Sequence, residues 1–488
     1  RTKTFEGETL TQYEGAGMFD ISLDLIEAEN SILINCAYAE RLFSDATMTR
    51  RISEYLTLLE TLVAGEATTV AHWVDAAFKL AARTEQSTKA VAATNAAPDT
   101  ICSLWKRQVA RGANNVALIE GNRQLTYAEV DKQVTETAFT LFNLYGVRSG
   151  DRVVVSLDSS IDLVVAMLAL FSMGAVYVPV TPDTPLPRLR SILQHCGARY
   201  LIHAAGHACV DAISKQDAVE CIAMDELLNG AIATTRHQSL QPPQPEDVAY
   251  VLFTSGSTGV PKGVEIIHAG IGNAVAWRIQ AYRICKADTI LQMPSAGFDA
   301  SLIDILSTLL GGGRLVMLDT ASKRSVERIR DAIEQHRVSA ILVTPTLYRV
   351  LLDRIAPAMA SLRFITLAGE KLPFDLMQEH FAKAPAAELW NEYGPTECSV
   401  VVSAGRQHPG QDRVTIGWPV KNIQVHILDE RERPTPTGVW GRLWVSGTGL
   451  AKGYAGDEPN TQKKFRCLPS LGNARCYDTG DIARVLDS

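Results

Sequence analysis

Val248-Ala249-Tyr250-Val251-Leu252-Phe253 runs directly into Thr254-Ser255-Gly256-Ser257-Thr258-Gly259-Val260-Pro261-Lys262-Gly263. The first part is wholly apolar and predicts a buried strand. In the second, Gly256, Gly259 and Gly263 let the backbone bend tightly and approach a ligand with no Cβ in the way. The hydroxyls of Thr254, Ser255, Ser257 and Thr258, with the exposed N–H groups, can hydrogen-bond phosphate oxygens, and Lys262 adds a point charge. A polar loop at a strand end is where α/β folds hold ligands, so the segment predicts an α/β fold with a nucleotide site. It is not the Walker pattern, because no Lys-Ser or Lys-Thr follows a glycine at the required offset. The bland alternative is a polar turn between two core elements.

The composition frames this reading. With 488 residues, 46% hydrophobic and 21% charged, the chain can bury a large core and form two or more lobes. A net charge of −7, with no basic block, argues against nucleic acid or an anionic membrane as a partner. The 9 cysteines are scattered, odd in number and never spaced Cys-x-x-Cys, which predicts reduced thiols in a cytoplasmic protein. Ile161 to Val180 carries one charge, Asp162, and is long enough to cross a bilayer. Gly174, Pro179 and the prolines that follow interrupt it, and no basic flank anchors it. A buried helix through Phe171, a turn at Gly174 and a strand Ala175–Val180 are expected instead. The chain opens at Arg1 with neither an initiator Met nor a signal peptide, so it is expected to be cut from a longer polypeptide.

Within residues 1–82, Phe19–Leu25 and Ser31–Cys36 read as paired strands. Met48, Ile52, Tyr55, Leu56, Leu59 and Leu62 recur at helical spacing after them. Residues 83–100 are small and polar, as in a linker. From 101 to 415 helical patterns alternate with short runs such as Val153–Val155, Tyr200–Ile202, Arg314–Leu318 and Ala340–Val343. That alternation predicts parallel sheets flanked by helices. Over 416–488 short strands with Gly and Pro turns predict a small β-rich lobe.

Two further segments suit a nucleotide. Asn391-Glu392-Tyr393-Gly394-Pro395-Thr396-Glu397 offers a flat ring for adenine and a carboxylate for a magnesium–phosphate complex. Alone, it is equally a turn with a cap. Tyr477-Asp478-Thr479-Gly480-Asp481 places a carboxylate on a glycine turn, suited to two ribose hydroxyls.

In order and wording these segments resemble the adenylate-forming superfamily, and within it the adenylation domains of nonribosomal peptide synthetases. Leu125–Glu129 resembles that family's first core motif and Met173–Val180 its second. Thr254–Gly263 matches the third, Phe298-Asp299-Ala300-Ser301 the fourth and Asn391–Glu397 the fifth. Gly441–Tyr454 resembles the sixth and Tyr477–Asp481 the seventh. Arg442 departs from the usual Glu, a surface adjustment with little expected effect on chemistry. The front segment, Ile34–Tyr38 through Leu42–Thr47 and Arg50–Leu62, is similar to the tail of a condensation domain without its His-His motif. Residues 1–82 are therefore expected to be a structural remnant. The chain ends just past the seventh motif, so the small C-terminal lid with its catalytic lysine is expected to be absent and adenylation by this fragment slow.

The resemblance implies a reaction and roles. An amino-acid carboxylate attacks the α-phosphorus of ATP, pyrophosphate leaves, and an aminoacyl-adenylate forms before transfer to a carrier-protein thiol. Lys262, Thr396 and Glu397 are the expected catalytic residues, with Glu397 on Mg2+. Thr254, Ser255, Gly256, Ser257, Thr258, Gly259 and Lys262 would hold phosphates. Asn391, Tyr393, Gly394 and Thr396 would meet the nucleotide, Gly369, Glu370 and Lys371 would border the base, and Asp481 would bind ribose. Asp299 would pair with the substrate's α-ammonium, although a helix N-cap role also fits Asp-Ala-Ser before an apolar run. By motif offset the side-chain pocket is Ala300, Ile303, Leu342, Thr366, Ala368, Glu392, Val400 and Val401. Its walls are mostly apolar, which favours an apolar or aromatic amino acid, leucine-like or tyrosine. An inward Glu392 would want a donor, whereas a Glu392 turned away would leave an aliphatic pocket.

ATP and Mg2+ are the implied cofactors, with phosphopantetheine on a separate carrier domain. The implied partners are carrier and condensation domains of one assembly line and a small accessory protein. Two alternatives stand beside this reading, an acyl-CoA synthetase-like ligase and a non-catalytic nucleotide-binding scaffold.

Overall fold

The computed structural model describes residues 2–5, 12–13, 19–28, 31–40, 42–64, 69, 100–207, 210, 212–213, 218–229, 241–254 and 261–486. Residues 255–260 of the glycine-rich run, and all but the last residue of the expected linker 83–100, lie outside them. The chain forms two compact units. One comprises Ala90–Val425 and Trp444–Thr479, the other Arg1–Lys89, His426–Leu443 and Gly480–Ser488. The units do not part at residue 415, because short segments of the β-rich region belong to each.

The large unit is built on two sheets, as the alternating pattern predicts. In the seven-stranded sheet the order is Glu220–Ala223, Tyr200–His203, Arg152–Ser156, Val176–Val180, Val248–Thr254, Lys262–Ile267 and Gly453–Tyr454. Its first five strands are parallel and its last two antiparallel additions. The strand Val248–Thr254 is buried from Ala249 to Phe253. It turns back as a hairpin, so the glycine-rich run joins two antiparallel strands with Thr254 opposite Lys262.

The nine-stranded sheet has at its centre the parallel strands Thr289–Gln292, Ala340–Val343, Phe364–Leu367 and Glu388–Tyr393. Ile341, Val343, Ile365, Leu367 and Leu389 from these strands join Tyr348, Leu351 and Leu376 from the covering helices in one core cluster.

The apolar stretch 161–180 resolves as read from the sequence. A helix Ile161–Ser172, capped by Ser160, is buried from Leu163 to Phe171, and the strand Val176–Val180 follows. Between them Gly174 has φ 73°, and a Cβ there would lie 2.6 Å from Ser149 Oγ. Among the described residues no helix is long and apolar enough to cross a membrane. The first motif has a structural role: Thr126 and Glu129 form a reciprocal capping box on the helix Tyr127–Asn143. The buried Tyr127 hydroxyl binds the Leu309 and Gly313 carbonyls at 2.8 and 2.7 Å.

After Thr415 the described residues are mostly strands and turns, with the helix Glu458–Lys464 and a 3-10 turn Pro469–Leu471 among them. Within the large unit, Phe465–Leu468 pairs antiparallel with the start of Ala474–Ala483. In the smaller unit, Ile21–Ala28 and Ser31–Tyr38 pair as expected, and Thr2–Phe5 and Gln12–Tyr13 extend that sheet. The helix Asp45–Val63 packs Met48 and Ile52 on Cys36 and Tyr38. The eight described cysteines are free thiols.

Two wholly buried imidazoles make this fold acid-sensitive. Burial pushes His268 and His380 down to about 4. His268 has no partner for either ring nitrogen among the described residues, while His380 bonds Tyr348 Oη and the Ala387 carbonyl. The unfolded chain binds more protons between about pH 4 and 6.5, so stability falls as pH drops through that window. Urea unfolding at pH 5 should show a loss of about 2 kcal/mol per histidine relative to pH 7, and His268→Phe should remove its share.

Candidate active site

Four parallel strands deliver their following residues to one sheet edge. After Gln292 comes the loop to Asp299, and after Val343 the helix cap Thr344. Leu367 leads to Ala368–Lys371, and Tyr393 to Gly394–Glu397. The C-terminal edge of a parallel sheet is where α/β folds gather ligand-binding residues.

Asp299 is the first residue of the helix Asp299–Leu310, and the N-cap is Phe298, without a side-chain cap bond. The N-cap alternative for Asp299 is therefore not what the structure has. The Thr396 hydroxyl and the Ala300 N–H face its carboxylate and favour its charged form. Among the described residues its buried Oδ2 has no hydrogen-bond partner, and the same is true of the Tyr250 hydroxyl, which feels the Asp299 charge. Burial pushes Asp299 above the usual carboxylate range, and Glu397 adds to the shift.

Polar bonds brace the loop before it. Gln292 Nε2 donates to the Pro294 carbonyl at 2.5 Å and to Ser301 Oγ at 3.3 Å. Lys323, brought down to about 8 by burial, donates to Ser159 Oγ at 2.8 Å, to the Pro294 carbonyl at 3.4 Å and to Gln292 Oε1.

Thr396 and Glu397 sit in a short 3-10 turn. Tyr454 Oη donates to Glu397 Oε1 at 2.7 Å, and the Tyr477 phenol faces both Glu397 and Tyr454. Burial first, then the Glu397 charge, raises both phenols. Lys262 Nζ lies 5.4 Å from the Tyr454 ring centre. A cleft of about 200 Å³ lined by His195, Lys262, Gly263, Gly456, Asp457 and Asn460 borders the glycine-rich hairpin. The turn is sterically tight: a Cβ on Gly394 would lie 2.2 Å from the Val400 carbonyl oxygen. Ser399 and Val400 both have positive φ, 56° and 76°. For a β-branched residue that is a strained conformation, of the kind concentrated at functional sites.

The pocket positions taken by motif offset converge in part. In the parallel register Leu342 lies opposite Thr366 and Thr366 opposite Trp390. Side chains alternate along a strand, so Leu342, Thr366, Ala368 and Glu392 share one face. Ile303 is wholly buried, and Val400 and Val401 nearly so. Glu392 neither hangs free in this pocket nor turns away from all donors. Its Oε1 is 3.2 Å from Arg278 Nε and accepts from Tyr282 Oη at 2.5 Å. Arg278 also meets Asp304 at 3.4 Å, and all three charged side chains are 2% exposed. Burial pulls the guanidinium down, and Glu392 and Asp304 more than offset it. Burial pushes Asp304 up to about 6 against the pull of Arg278.

Other expected positions are less cleanly assembled. Asn391 Nδ2 donates to the Thr415 carbonyl at 2.9 Å, and Glu370 Oε2 accepts from the Thr346 N–H and hydroxyl at 3.1 and 2.6 Å. Gly369 has φ 81°, Lys371 is exposed and Tyr393 is half-buried. Ser255, Gly256, Ser257, Thr258 and Gly259 lie outside the described residues, and Asp481 is an exposed residue of the other unit. Among the described residues no cluster of three or more His, Cys, Asp or Glu could hold a metal. Arg278, Tyr282, Asp304 and Lys323 escaped the sequence reading, and Tyr454 entered it only as the end of the sixth motif. A signal existed for Asp304, a lone charge inside Leu302-Ile303-Asp304-Ile305-Leu306 and so a buried, paired one.

The profile of the AMP-binding enzyme family matches residues 105–455. Tyrocidine synthase 3 of Brevibacillus parabrevis is 32% identical over 473 residues, covering 96% of this chain. Bacitracin synthase 3 of Bacillus licheniformis is 35% identical over 392 residues, covering 79%. The chain spans only 7% and 6% of those two proteins. Among solved structures, the Klebsiella oxytoca NpsA N-terminal subdomain with 3-hydroxybenzoyl-AMSN aligns at 26% identity with TM-score 0.73. That alignment covers 81% of this chain and 98% of the subdomain. FmoA3, a nonribosomal peptide synthetase bound to alpha-methyl-L-serine-AMP, shares the fold at 23% identity with TM-score 0.83, over 98% of this chain and 54% of its own.

The Arg278 cluster should behave as a buried ion network. Arg278→Met alone leaves two buried carboxylates uncompensated and should cost about 3–5 kcal/mol in urea unfolding. Arg278→Met with Asp304→Leu and Glu392→Leu should recover most of that loss.

Proposed function

The chain belongs to the AMP-binding enzyme family, as an adenylation domain of the nonribosomal peptide synthetase type, and we propose that it activates an apolar or aromatic amino acid as its aminoacyl-adenylate. A carboxylate oxygen of the amino acid attacks the α-phosphorus of ATP, the bond to the β-phosphate bridging oxygen breaks, and pyrophosphate leaves. No covalent enzyme intermediate is required, so the protein's contribution is orientation and charge neutralisation.

The observation that carries the amino-acid reading is Asp299 Oδ2, a buried carboxylate oxygen with no hydrogen-bond partner among the described residues. A buried charge left unpaired is costly, and an α-ammonium is the group that would complete it. A simple acyl chain brings no such cation, which weighs against an acyl-CoA synthetase-like ligase. Thr396 would then hold Asp299 on one side and face the nucleotide on the other. Glu397 suits Mg2+, because that ion binds through one or two carboxylates plus substrate phosphates and needs no all-protein cage. Bound there, Mg2+ would neutralise phosphate charge, while Tyr454 and Tyr477 keep Glu397 oriented. Lys262 and Thr254, register partners at the base of the hairpin, would flank the departing phosphates together with Ser255–Gly259. Tyr393 would stack on adenine beside Asn391 and Gly394, Gly369–Lys371 would border the base, and Asp481 would take the ribose.

The product would pass to a phosphopantetheine thiol on a carrier domain. NpsA has been solved as an artificial adenylation–PCP fusion, which supports that partner class. Condensation domains, a small accessory protein and a cytoplasmic location complete the proposed setting, and residues 1–82 are proposed to be a condensation-domain remnant.

Calorimetry with paired non-hydrolysable adenylates, one aminoacyl and one lacking the amino group, tests the central claim. Wild type should prefer the aminoacyl member. Asp299→Asn should weaken that member by about 2–4 kcal/mol and leave the des-amino member nearly unchanged. Equal affinity of wild type for both would refute amino-acid recognition.

A further inference from the structure

We propose that Arg278, a residue outside the pocket positions read from the sequence, sets the charge class of the substrate by occupying Glu392, so that the site takes amino acids with neutral side chains. The inference rests on the amino-acid-activating reading above and concerns the far end of the same pocket.

Glu392 shares a sheet face with Leu342, Thr366 and Ala368. Apart from the Thr366 hydroxyl, the other seven pocket positions, Ala300, Ile303, Leu342, Thr366, Ala368, Val400 and Val401, bring only hydrocarbon. A lone carboxylate in such a wall would favour a substrate side chain that brings a cation or a strong hydrogen-bond donor to offset its lost hydration. Here the offset is internal. Arg278 Nε is 3.2 Å from Glu392 Oε1, and the Tyr282 hydroxyl donates to the same oxygen at 2.5 Å. Arg278 and Tyr282 both belong to the helix His268–Tyr282, one turn apart, so they reach Glu392 from one element.

Other charges lie nearby. Asp304 meets Arg278 at 3.4 Å, and Lys323, hydrogen-bonded to neutral oxygens, acts on Asp304 through space. Lys323 also faces Asp158 and Asp319, so the compensation of Glu392 comes from Arg278 and Tyr282 themselves, which leaves that carboxylate no need of a substrate cation. A lysine- or ornithine-like tip would add an uncompensated positive charge, and a glutamate-like tip an uncompensated negative one.

Calorimetry with leucyl, tyrosyl, ornithyl and glutamyl sulfamoyl-adenylates decides the matter, with an ATP analogue and Mg2+ as a check on the folded nucleotide site. Wild type should bind a neutral mimic at least about tenfold more tightly than the ornithyl or glutamyl one. Arg278→Met uncovers Glu392 and should move the ornithyl-to-neutral ratio upward by about tenfold or more. Arg278→Met/Glu392→Leu should return the preference to neutral side chains. Glu392→Gln, nearly isosteric, should move the ratio toward the glutamyl mimic, and it decides the question if Arg278→Met does not fold. Ornithyl preference in wild type, or an unmoved ratio in a variant that still binds the ATP analogue, overturns the proposal. Binding of the ATP analogue with no binding of any aminoacyl mimic would instead remove the amino-acid reading beneath it.

Discussion

Arg278 is charged at any accessible pH and is almost completely removed from water. Such a group is tolerated only where carboxylates meet it in fixed geometry. Asp304 supplies one from the helix Asp299–Leu310 and Glu392 another from the strand Glu388–Tyr393, while Arg278 itself lies on the helix His268–Tyr282. Three elements are therefore held at the spacing the ion network demands. Asp299 begins the same helix that Asp304 pins, five positions earlier and so about 7.5 Å along its axis. The ion network thus also fixes where Asp299 stands.

Around that frame many side chains are paired, while Arg278 Nε, Asp304 Oδ2, Thr366 Oγ1, Tyr250 Oη and Asp299 Oδ2 are buried with no hydrogen-bond partner among the described residues. Glu397 is held by Tyr454 and Tyr477, Asn391 by the Thr415 carbonyl and Glu370 by Thr346. The same edge also stores backbone strain, in the positive φ of Ser399 and Val400 beside the obligate glycine at 394. Unsatisfied charge and strain in one place mark where the fold has been shaped for a ligand rather than for its own stability.

The smaller unit shows how contacts distant in sequence close a fold. Arg50 and Arg51, on the helix Asp45–Val63, both donate to the Thr437 carbonyl, at 3.1 and 2.5 Å. Gly438 next to it donates to the Val485 carbonyl at 2.8 Å. One carbonyl thereby ties the front helix to a strand connection nearly four hundred residues away. Nothing in the spacing of Arg50 and Arg51 announces this, because a backbone oxygen has no residue type to recognise.

Periodicity and punctuation determined much of the fold from the sequence alone. Apolar runs between breakers became buried strands, as with Val248–Thr254 and Ala340–Val343, and Gly174 separated helix from strand where a Cβ had no room. The motifs likewise pointed to Asp299, Thr396 and Glu397, which the structure brings to one edge of the parallel sheet. Tertiary structure alone decided what those side chains meet. Asp299 proved to be the first helical residue and not its cap, and Glu392 proved to be paired and not free. Both outcomes depend on partners from other elements, Thr396 for one and Arg278 with Tyr282 for the other. Local pattern fixes which elements form and which groups they carry. Pairwise electrostatics between elements is set by packing, which a linear reading cannot supply.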